Sequence, residues 1–293
     1  MLYRQESFKV LIATPMYAEE AMDSLQKFMQ RDHIYSFECE LYYSFIQDID
    51  AYRKFLCDNE KELLKFYYEL MDDLSRETMK NVLVGRITGD LSYFRKCRQP
   101  HQYYIEELFD SKMKGTFLDV GASIGDTLEE LSDRTKNSFD KVYCFEPSQS
   151  AYAILQEKAM QYGNRVKLVN KGAWDREEIL EFHEDAEHGA SKIVSGEQGN
   201  TIRIVVDQLD AMVDKKDKVI HIKMDIEGAE KQALKGAKEI IKRDKPMLAI
   251  CVYHKNDDFI KIPELIKEIV PEYRFYLRHH NVAGTETVLY AVT

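Results

Sequence analysis

The chain has 293 residues, enough for one large domain or for a main domain with a smaller one. With 44% hydrophobic and 31% charged residues, its composition is globular and excludes a collagen-like, low-complexity or disordered chain. The net charge is −10 and the sequence has no concentrated basic patch, so we expect no nucleic-acid partner. No apolar run approaches the roughly 18–20 residues that a membrane span needs.

The cysteines indicate a reducing compartment. They are odd in number, widely spread and without a Cys-x-x-Cys pair, which argues against a disulfide framework or a structural zinc site. The amino-terminal sequence has too short an apolar stretch for a signal peptide and no cleavage site after it. We therefore expect a cytoplasmic protein. The five cysteines are Cys39, Cys57, Cys97, Cys144 and Cys251.

The sequence predicts a mainly helical amino-terminal region over residues 1–100, with one βα unit. Residues 9–14 are typical of a strand, and residues 18–30 have a helical pattern. From residue 58 to residue 79, apolar side chains recur every three or four positions and predict a helix. Residues 35–68 include ten Phe or Tyr side chains. We interpret these aromatic residues as helix-packing core, with a homodimer face or a substrate lid as alternatives.

A second domain is predicted over residues 101–293, where strand and helix patterns alternate from Thr116 onward. This alternation argues for βαβ units and a parallel sheet covered on both faces. Residues 179–206 interrupt it with short alternating runs that indicate an antiparallel excursion, and two runs flanking Gly284 predict a terminal hairpin. The predicted strands are 116–120, 141–145, 166–169, 219–224 and 247–253, and the predicted helices are 124–133, 149–162, 229–242 and 259–269.

The most informative segment is FLDVGASIGD, at residues 117–126. An apolar strand ends in Asp119, a glycine loop follows, and a helix begins near residue 124. Gly121 and Gly125 let the backbone approach a ligand, and the helix amino terminus offers free N–H groups. Further along, a second strand ends at Glu146, whose carboxylate can accept both hydroxyl groups of a ribose. The loop and the acid together indicate a nucleoside cofactor.

The charge near this loop favours S-adenosylmethionine over a nicotinamide dinucleotide. The dinucleotide fingerprint GxGxxG has a middle glycine that makes room for the pyrophosphate, and the sequence GASIG has none. Asp119 would repel a pyrophosphate but suits a ligand that bears an ammonium group. S-adenosylmethionine is such a ligand, because it joins adenosine without phosphate to a sulfonium and an amino-acid end.

Several motifs carry a family resemblance. They are FLDVGASIGDT (117–127), VYCFEP (142–147), IKMDIEGAE (222–230), KPMLAICVYH (245–254), YLRHH (276–280) and ETVLY (286–290). With them the chain resembles the FkbM family of S-adenosylmethionine-dependent methyltransferases from about residue 102 to residue 293, and IKMDIEGAE is the specific part. The resemblance implies an α/β, Rossmann-like sheet of seven strands with the last strand antiparallel. It also implies O-methylation, commonly of sugars or polyketide-type products.

The resemblance also implies where the cofactor binds. The loop residues line its methionine end, Glu146 holds the ribose, and the adenine lies near the end of the third strand. Trp174, the single tryptophan, has packing under the sheet edge as its alternative role. The run that begins at Gln102 falls where the family often has a Gln-Tyr pair that covers the cofactor. The implied cofactor residues are Asp119, Gly121, Ala122, Ser123, Gly125, Glu146, Pro147, Asn170, Gly172, Ala173, Trp174 and Asp225.

Acidic and histidine residues follow several of the predicted strands. Ligands of open α/β sheets bind at the carboxyl ends of the strands, so these side chains converge on one edge. An alcohol must lose its proton during methylation, and histidine is the first choice of base near neutral pH. We therefore predict Asp225, Glu227, His254 and His280 as catalytic residues. Of His279 and His280 we expect one at most to face the site, since neighbours on a strand point oppositely.

These observations predict a cytoplasmic S-adenosylmethionine-dependent O-methyltransferase, with S-adenosylhomocysteine as product. Its acceptor is expected to be small and polar, a sugar or a glycan or natural-product precursor. We expect Lys223 to pair with a carboxylate rather than to react. No metal is expected, although Asp225, Glu227 and a histidine have the chemistry of a magnesium site. The alternatives are a non-catalytic methyltransferase-like binding module and an NAD-dependent oxidoreductase.

Overall fold

A computed structural model describes residues 9–12, 18–30, 34–36, 49–110, 112, 114–183, 192–193 and 201–293. Within these ranges, no helix combines the length and the apolar character that a membrane crossing requires. The strands are β1 (Val10–Ile12), β2 (Ile34–Ser36), β3 (Thr116–Val120), β4 (Lys141–Phe145), β5 (Val166–Val169), β6 (Gly172–Ala173), β7 (Glu178–His183), β8 (Lys192–Ile193), β9 (Thr201–Asp207), β10 (Val219–Met224), β11 (Met247–Cys251), β12 (Arg274–His279) and β13 (Thr287–Val292). The helices are α1 (Ala18–Gln26), α2 (Ile49–Asp58), α3 (Glu60–Glu69), α4 (Asp73–Thr88), α5 (Ser92–Cys97), α6 (Asp126–Arg134), α7 (Gln149–Ala159), α8 (Leu209–Met212), α9 (Glu230–Gly236), α10 (Lys238–Asp244) and α11 (Asp258–Ile269).

Seven strands form the central sheet, in the order β12-β13-β11-β10-β3-β4-β5. Strands β11, β10, β3, β4 and β5 pair in parallel, whereas β13 is antiparallel to both of its neighbours. This confirms the predicted α/β class, the seven-stranded sheet and the terminal hairpin. The order places β3 between β10 and β4, so the carboxyl ends of these three strands meet at one edge. Ligand sites of open α/β sheets lie at such an edge.

The central strands are apolar because both faces of the sheet are covered. Every residue of β3, β10 and β11 is buried. Four polar side chains lie within these strands, namely Thr116, Asp119, His221 and Lys223. In the register of the sheet, Asp119 lies directly beside Lys223 on the neighbouring strand. Charged side chains are rarely buried in strands, so apolar packing alone does not explain this pair.

The predicted excursion at residues 179–206 forms a second, four-stranded sheet in the order β6-β9-β7-β8. Strand β7 is antiparallel to β9 over six residue pairs, as the alternating sequence predicted. Residues 184–191 and 194–200 of the excursion lie outside the described residues. The short strand β6 follows β5 in the chain, so the second sheet begins beside the carboxyl edge of the central sheet.

The single helix predicted over residues 58–79 is wrong, since the structure has two helices there. Helix α3 ends at Glu69, and the next residue, Leu70, is extended at ψ 132° and pairs with Phe275 on strand β12. Helix α4 then begins after Asp72, whose carboxylate accepts a hydrogen bond from the Ser75 N–H at 2.7 Å. The apolar spacing is continuous across the break because both helices face the same core.

The helix predicted over residues 229–242 is also divided, into α9 and α10. Gly236 ends α9, and a Cβ atom built on it would lie 1.9 Å from the Trp174 carbonyl oxygen. This close approach brings the turn between the two helices against the segment that follows β6. Tertiary packing therefore decides the break, which the local sequence pattern does not show.

Helices α3, α4 and α5 share one hydrophobic core with the central sheet. The Phe66 ring lies 6.1 Å from the ring of Phe259 and 6.0 Å from that of Phe275. These contacts agree with the core interpretation for Phe66, whereas Tyr68 is 75% exposed. The aromatic residues at positions 37, 42, 43 and 45 lie outside the described residues. A domain boundary near residue 100 stays a prediction, and this core extends across it.

Candidate active site

A cavity of about 680 Å³ opens at the carboxyl edge of the central sheet. Its volume lies within the roughly 300–1,000 Å³ that is usual for ligand pockets. One side is formed by the glycine loop after β3 and the start of α7, and the other side by the loops after β10, β11 and β12. The lining residues are Gln102, Tyr103, Val120, Gly121, Ser123, Ile124, Asp126, Thr127, Phe145, Glu146, Pro147, Ser148, Ser150, Ala151, Ile154, Gly172, Ala173, Ile204, Val206, Lys223, Asp225, Ile226, Glu227, Ala229, Tyr253 and Glu286.

The glycine loop is held by the neighbouring strands. Gly121 has φ 81°, and a Cβ atom on it would lie 1.9 Å from the Asp225 carbonyl oxygen. Only glycine allows the loop to approach the end of β10 this closely. The N–H groups of Gly121 and Ala122 donate to the Phe145 carbonyl oxygen at 3.1 and 3.0 Å. Ala122 is fully buried and is not part of the cavity lining, whereas Ser123 is.

Glu146 joins the glycine loop to the cavity. Its Oε2 accepts a hydrogen bond from the Ser123 N–H, and its Oε1 accepts one from the Ser148 N–H, both at 2.8 Å. Burial raises the pKa of Glu146, and these two N–H groups oppose that rise. A carboxylate has about four acceptor positions, so two remain for ligand hydroxyl groups. This geometry leaves room for the diol of a ribose, and the ribose contact itself stays a prediction.

The structure does not bring Asp119 to the cavity lining. Its Oδ1 lies 3.1 Å from the Nζ of Lys223, and each side chain is 3% exposed. Lys223 does line the cavity, and its Nζ also donates to the Gly121 carbonyl oxygen. The expectation that Lys223 pairs with a carboxylate is confirmed. A direct contact between Asp119 and a cofactor stays a prediction without support from this geometry.

The apolar side of the cavity lies where the adenine was predicted. Pro147, Gly172 and Ala173 line it, together with Ile204 and Val206 of strand β9. Trp174 and Asn170 are not among the lining residues. Trp174 packs partly buried against the β9 side chains, in keeping with its alternative role at the sheet edge. Asn170 donates to the Glu146 and Pro147 carbonyl oxygens and so supports the wall from behind.

Asp225 is the centre of the opposite, acidic side. The Tyr103 hydroxyl donates to its Oδ2 at 2.7 Å, and the Tyr253 hydroxyl donates to its Oδ1 at 3.2 Å. Burial alone would raise the pKa of Asp225, but the charges of His254 and Lys223 and the Tyr103 hydrogen bond lower it below its ordinary value. Asp225 is therefore ionised at neutral pH.

Two glutamates beside Asp225 have a raised pKa, in contrast to the lowered pKa of Asp225. Glu227 and Glu286 both line the cavity and both have left-handed backbone, at φ 55° and 62°. Burial and the nearby Asp225 raise the pKa of each carboxyl to about 7. Each is therefore partly protonated at neutral pH, which suits a group that accepts a proton during a reaction.

His254 is buried behind these acids and does not line the cavity. Its Nδ1 lies 3.0 Å from Glu230 Oε1, and its Nε2 lies 3.4 Å from Asp225 Oδ1 and 3.5 Å from Glu227 Oε2. Although burial lowers it, the three carboxylates raise the pKa of His254 to about 10. A histidine that already holds its proton at neutral pH cannot accept another one. The structure thus brings His254 to the acids but gives it a positive charge.

The structure does not bring His280 to the cavity. Its Nδ1 lies 2.9 Å from the Gln99 carbonyl oxygen and its Nε2 lies 2.9 Å from the Tyr290 hydroxyl. Burial lowers the pKa of His280 to about 4, so the ring is neutral. The neighbouring His279 is fully buried, with its Nδ1 2.9 Å from Thr287 Oγ1. The catalytic role predicted for His280 has no support from this placement.

Sequence reasoning assigned no catalytic role to Tyr253 or Glu286. Both lie in motifs that carry the family resemblance, and the topology offered a further signal. Strand β13 is antiparallel, so its amino-terminal end reaches the same edge as the carboxyl ends of the parallel strands. Glu286 immediately precedes β13, where it accepts a hydrogen bond from Gln102 Nε2. Its Oε1 lies 3.3 Å from the Tyr253 hydroxyl, whose single proton it shares with Asp225.

Two groups of side chains in the described parts of the chain have the spacing of metal ligands. Asp225, Glu230 and His254 form one group, and Asp225, Cys251 and Glu286 form the other. In each group the ligand atoms lie within 4.8 Å of one another. In the first group the charged His254 competes with a cation for the same carboxylates. The absence of a metal from the reaction stays a prediction.

Known proteins are similar to this chain in sequence and in fold. The family model described as the Methyltransferase FkbM domain matches residues 119–281, more than half of the chain. The chain belongs to the FkbM methyltransferase family. The family resemblance predicted from the motifs is thereby confirmed, and with it a methyltransferase fold. No curated protein sequence matches the chain significantly.

Solved structures resemble this FkbM-family chain to different extents. Methyltransferase FkbM from Methylobacillus flagellatus KT has 29% identity and a TM-score of 0.69, over 80% of this chain and 59% of that one. The present chain thus spans less than two thirds of that protein. Precorrin-6y C5,15-methyltransferase from Geobacter metallireducens GS-15 has 12% identity and a TM-score of 0.37, over 61% and 80% of the two chains. Aeropyrum pernix fibrillarin, solved with natively bound S-adenosyl-L-methionine, has 12% identity and a TM-score of 0.39, over 62% and 68%.

Proposed function

We propose that this FkbM-family protein is an S-adenosylmethionine-dependent O-methyltransferase that acts on a small, hydroxyl-bearing acceptor such as a sugar or a glycan or natural-product precursor. One observation carries the proposal. A single cavity has the glycine loop and the proposed ribose-binding carboxylate of Glu146 on one side. On the other side it has Asp225, whose pKa is lowered, and Glu227 and Glu286, whose pKa is raised to about 7. The first side suits the cofactor, and the second suits an alcohol that must lose a proton.

The charges of the cavity fit this cofactor. Among the described lining residues, five are acids and one, Lys223, is a cation. Such a wall attracts a sulfonium and an ammonium group and repels the two negative charges of a pyrophosphate. This balance supports S-adenosylmethionine over NAD. It also supports an enzyme over a non-catalytic module, since buried acids are costly to keep without use.

S-adenosylmethionine supplies, when bound, a methyl group on a sulfonium that departs as a neutral thioether. The chain must then place an acceptor oxygen behind that methyl group and exclude water. Asp225 stays ionised and accepts a hydrogen bond from the acceptor. Glu227, in its deprotonated form, receives the proton of the reacting hydroxyl group. The positive charge of His254 keeps the carboxylates from repelling one another, which replaces the role of base predicted for it.

The substrate class follows from the same wall. Carboxylates accept hydrogen bonds from hydroxyl groups, and Glu286 adds a further acceptor beside Asp225. A phosphate or carboxylate on the acceptor would meet these acids without a compensating cation. A neutral, polyhydroxylated molecule is therefore favoured. The cytoplasmic setting and a homodimer through the aromatic amino-terminal region stay predictions.

The test is calorimetric titration of the purified protein with S-adenosylmethionine, S-adenosylhomocysteine and NAD. We expect micromolar binding of the first two ligands, no binding of NAD, and a loss of at least about tenfold in affinity for Glu146→Ala, because hydrogen bonds to a charged group are lost. Glu157→Ala is the matched control, as this glutamate is exposed on α7 and outside the cavity. Binding of NAD alone, or no binding of either adenosyl ligand, would contradict the proposal.

A further inference from the structure

Lys223 is a buried cation in the wall of an acidic cavity. Its side chain is 3% exposed, yet it lines the cavity beside the glycine loop. The Nζ atom lies 5.2 Å above the centre of the Tyr103 ring. Among the described lining residues, the other charged side chains are all carboxylates, namely Asp126, Glu146, Asp225, Glu227 and Glu286. An anionic group of a ligand in this cavity therefore has one favourable place.

Two contacts fix the position of the Lys223 ammonium group. It pairs with Asp119 at 3.1 Å and donates to the Gly121 carbonyl oxygen. Burial opposes the charge, but Asp119 and Asp225 outweigh it and raise the pKa of Lys223 above its ordinary value. An ammonium group has three N–H donors, and these two contacts account for two of them. The contact with Gly121 places the group at the loop where the methionine end of the cofactor is expected.

We propose that Lys223 binds the carboxylate of the methionine end of S-adenosylmethionine, and that Asp119 is a positioning residue that holds Lys223. This inference rests on the proposed function. The sequence predicted that Asp119 contacts the methionine end of the cofactor. Of the Asp119–Lys223 pair, however, Lys223 is the residue that lines the cavity, so this contact is assigned to the lysine. The ammonium end of the cofactor is then left to the carboxylates of the wall. The cavity thus matches both charges of the amino acid.

The experiment compares two ligands that differ only in that carboxylate. They are S-adenosylhomocysteine and its decarboxylated analogue, S-adenosyl-3-thiopropylamine, each titrated by calorimetry. We expect the wild type to bind S-adenosylhomocysteine at least about tenfold more tightly than the analogue, since a charge-assisted hydrogen bond is lost. In Lys223→Met that difference should vanish while affinity for the analogue changes less than about twofold. Lys242→Met, an exposed lysine on α10, is the matched control.

Two further variants keep the test decisive if Lys223→Met fails to fold with Asp119 unpaired. The double variant Lys223→Met/Asp119→Asn removes both charges and should also lose the discrimination between the two ligands. Asp119→Asn alone keeps the lysine but removes its ion-pair partner, so it should reduce the discrimination between the two ligands without abolishing it. Equal weakening of both ligands in Asp119→Asn would show that Asp119 itself contacts the ammonium group and would overturn the proposal. A wild type that binds neither ligand would instead refute the proposed function.

Discussion

Neighbouring carboxylates in this cavity have different protonation states. Asp225 accepts hydrogen bonds from two tyrosine hydroxyl groups and lies near two cations, which stabilise its charge. Glu227 and Glu286 are buried, and the charge of Asp225 opposes theirs. The environment therefore gives the acids different roles: Asp225, which is ionised, can hold the acceptor by a hydrogen bond, and Glu227 and Glu286 can exchange a proton near neutral pH.

The proton-accepting role of Glu227 predicts a titration near neutral pH. In protein labelled with 13C at the glutamate side-chain carboxyl, we expect two signals with midpoints near pH 7, from Glu227 and Glu286. Glu227→Gln should remove one of these signals. Glu286→Gln should remove the other and lower the midpoint of Glu227, since the charge of Glu286 contributes to raising it. A Glu227 signal with a midpoint near pH 4.5 would contradict this assignment.

The charge of His254 predicts a pH-dependent stability. Its pKa of about 10 in the folded protein exceeds the ordinary 6.5, so folding takes up a proton between these values. The stabilisation is complete below about pH 6.5 and is lost as the pH rises through 10. We expect His254→Asn to lower the free energy of unfolding by on the order of 3 kcal/mol at pH 6.5, with a smaller difference toward pH 10.

Urea denaturation at pH 6.5, 8 and 10 measures this difference for His254. The matched control is His280→Asn, because burial lowers the pKa of His280 to about 4 and the ring is neutral in the folded protein over this range. The gap between wild type and His280→Asn should change by less than about 0.5 kcal/mol, since only the unfolded state titrates, near pH 6.5. A constant gap for His254→Asn as well would mean that His254 is neutral in the folded protein.

Helix α4 is attached to strand β12 through its amino terminus. Asp72 accepts a hydrogen bond from the Ser75 N–H and pairs with Arg278, whose side chain is 4% exposed, at 2.8 Å. The Ser75 hydroxyl accepts hydrogen bonds from the Leu277 N–H at 2.9 Å and from Arg278 Nη1 at 2.8 Å. The helix cap and the sheet edge therefore depend on the same few side chains.

Substitutions at Asp72 separate the cap from the ion pair. We expect Asp72→Ala to lower the free energy of unfolding by roughly 3–4 kcal/mol, because it loses the cap and leaves the buried Arg278 unpaired. Asp72→Asn keeps a capping oxygen and should cost less. Asp73→Ala is the control, since that side chain is fully exposed and should cost under about 0.5 kcal/mol. Equal effects of Asp72→Ala and Asp73→Ala in urea denaturation would refute the coupling.

At the scale of the whole molecule, the amino-terminal helices and the sheet are joined by one core. Phe66 and Leu70 of the helical region belong to the same buried cluster as Phe275 on β12 and the central strands. The cavity lies at the carboxyl edge of that sheet, and its walls come from loops far apart in the chain. The helices therefore support the sheet from the edge strand β12, while the cavity is built by the topology of the strands.

This shared core predicts a single cooperative unfolding transition. The fluorescence of Trp174, beside the second sheet, and the helical circular dichroism, to which α3–α5 contribute, should report the same midpoint in urea. Phe66→Ala should move both midpoints together and cost roughly 3–5 kcal/mol. Tyr68→Ala, at a side chain 75% exposed, should move neither. Separate midpoints for the two probes would show that the helical region unfolds independently.

The sequence by itself determined the class of fold and one side of the cavity. Alternation of β-branched strands with helical segments reflects a sheet covered on both faces, and this periodicity is local. The glycine loop and Glu146 could be identified because the backbone geometry needs glycine at position 121 and an acid after the next strand. Such requirements act within a few residues and leave a readable pattern.

Only the tertiary structure decided which charged groups reach the cavity. Asp119 and Lys223 are neighbours across two strands more than a hundred residues apart in sequence, and their pairing leaves the lysine on the wall. His254 carries a proton because three carboxylates from the β10 loop and helix α9 surround it. Protonation states and ion pairs depend on distances between segments and on burial, and neither quantity is encoded in local spacing.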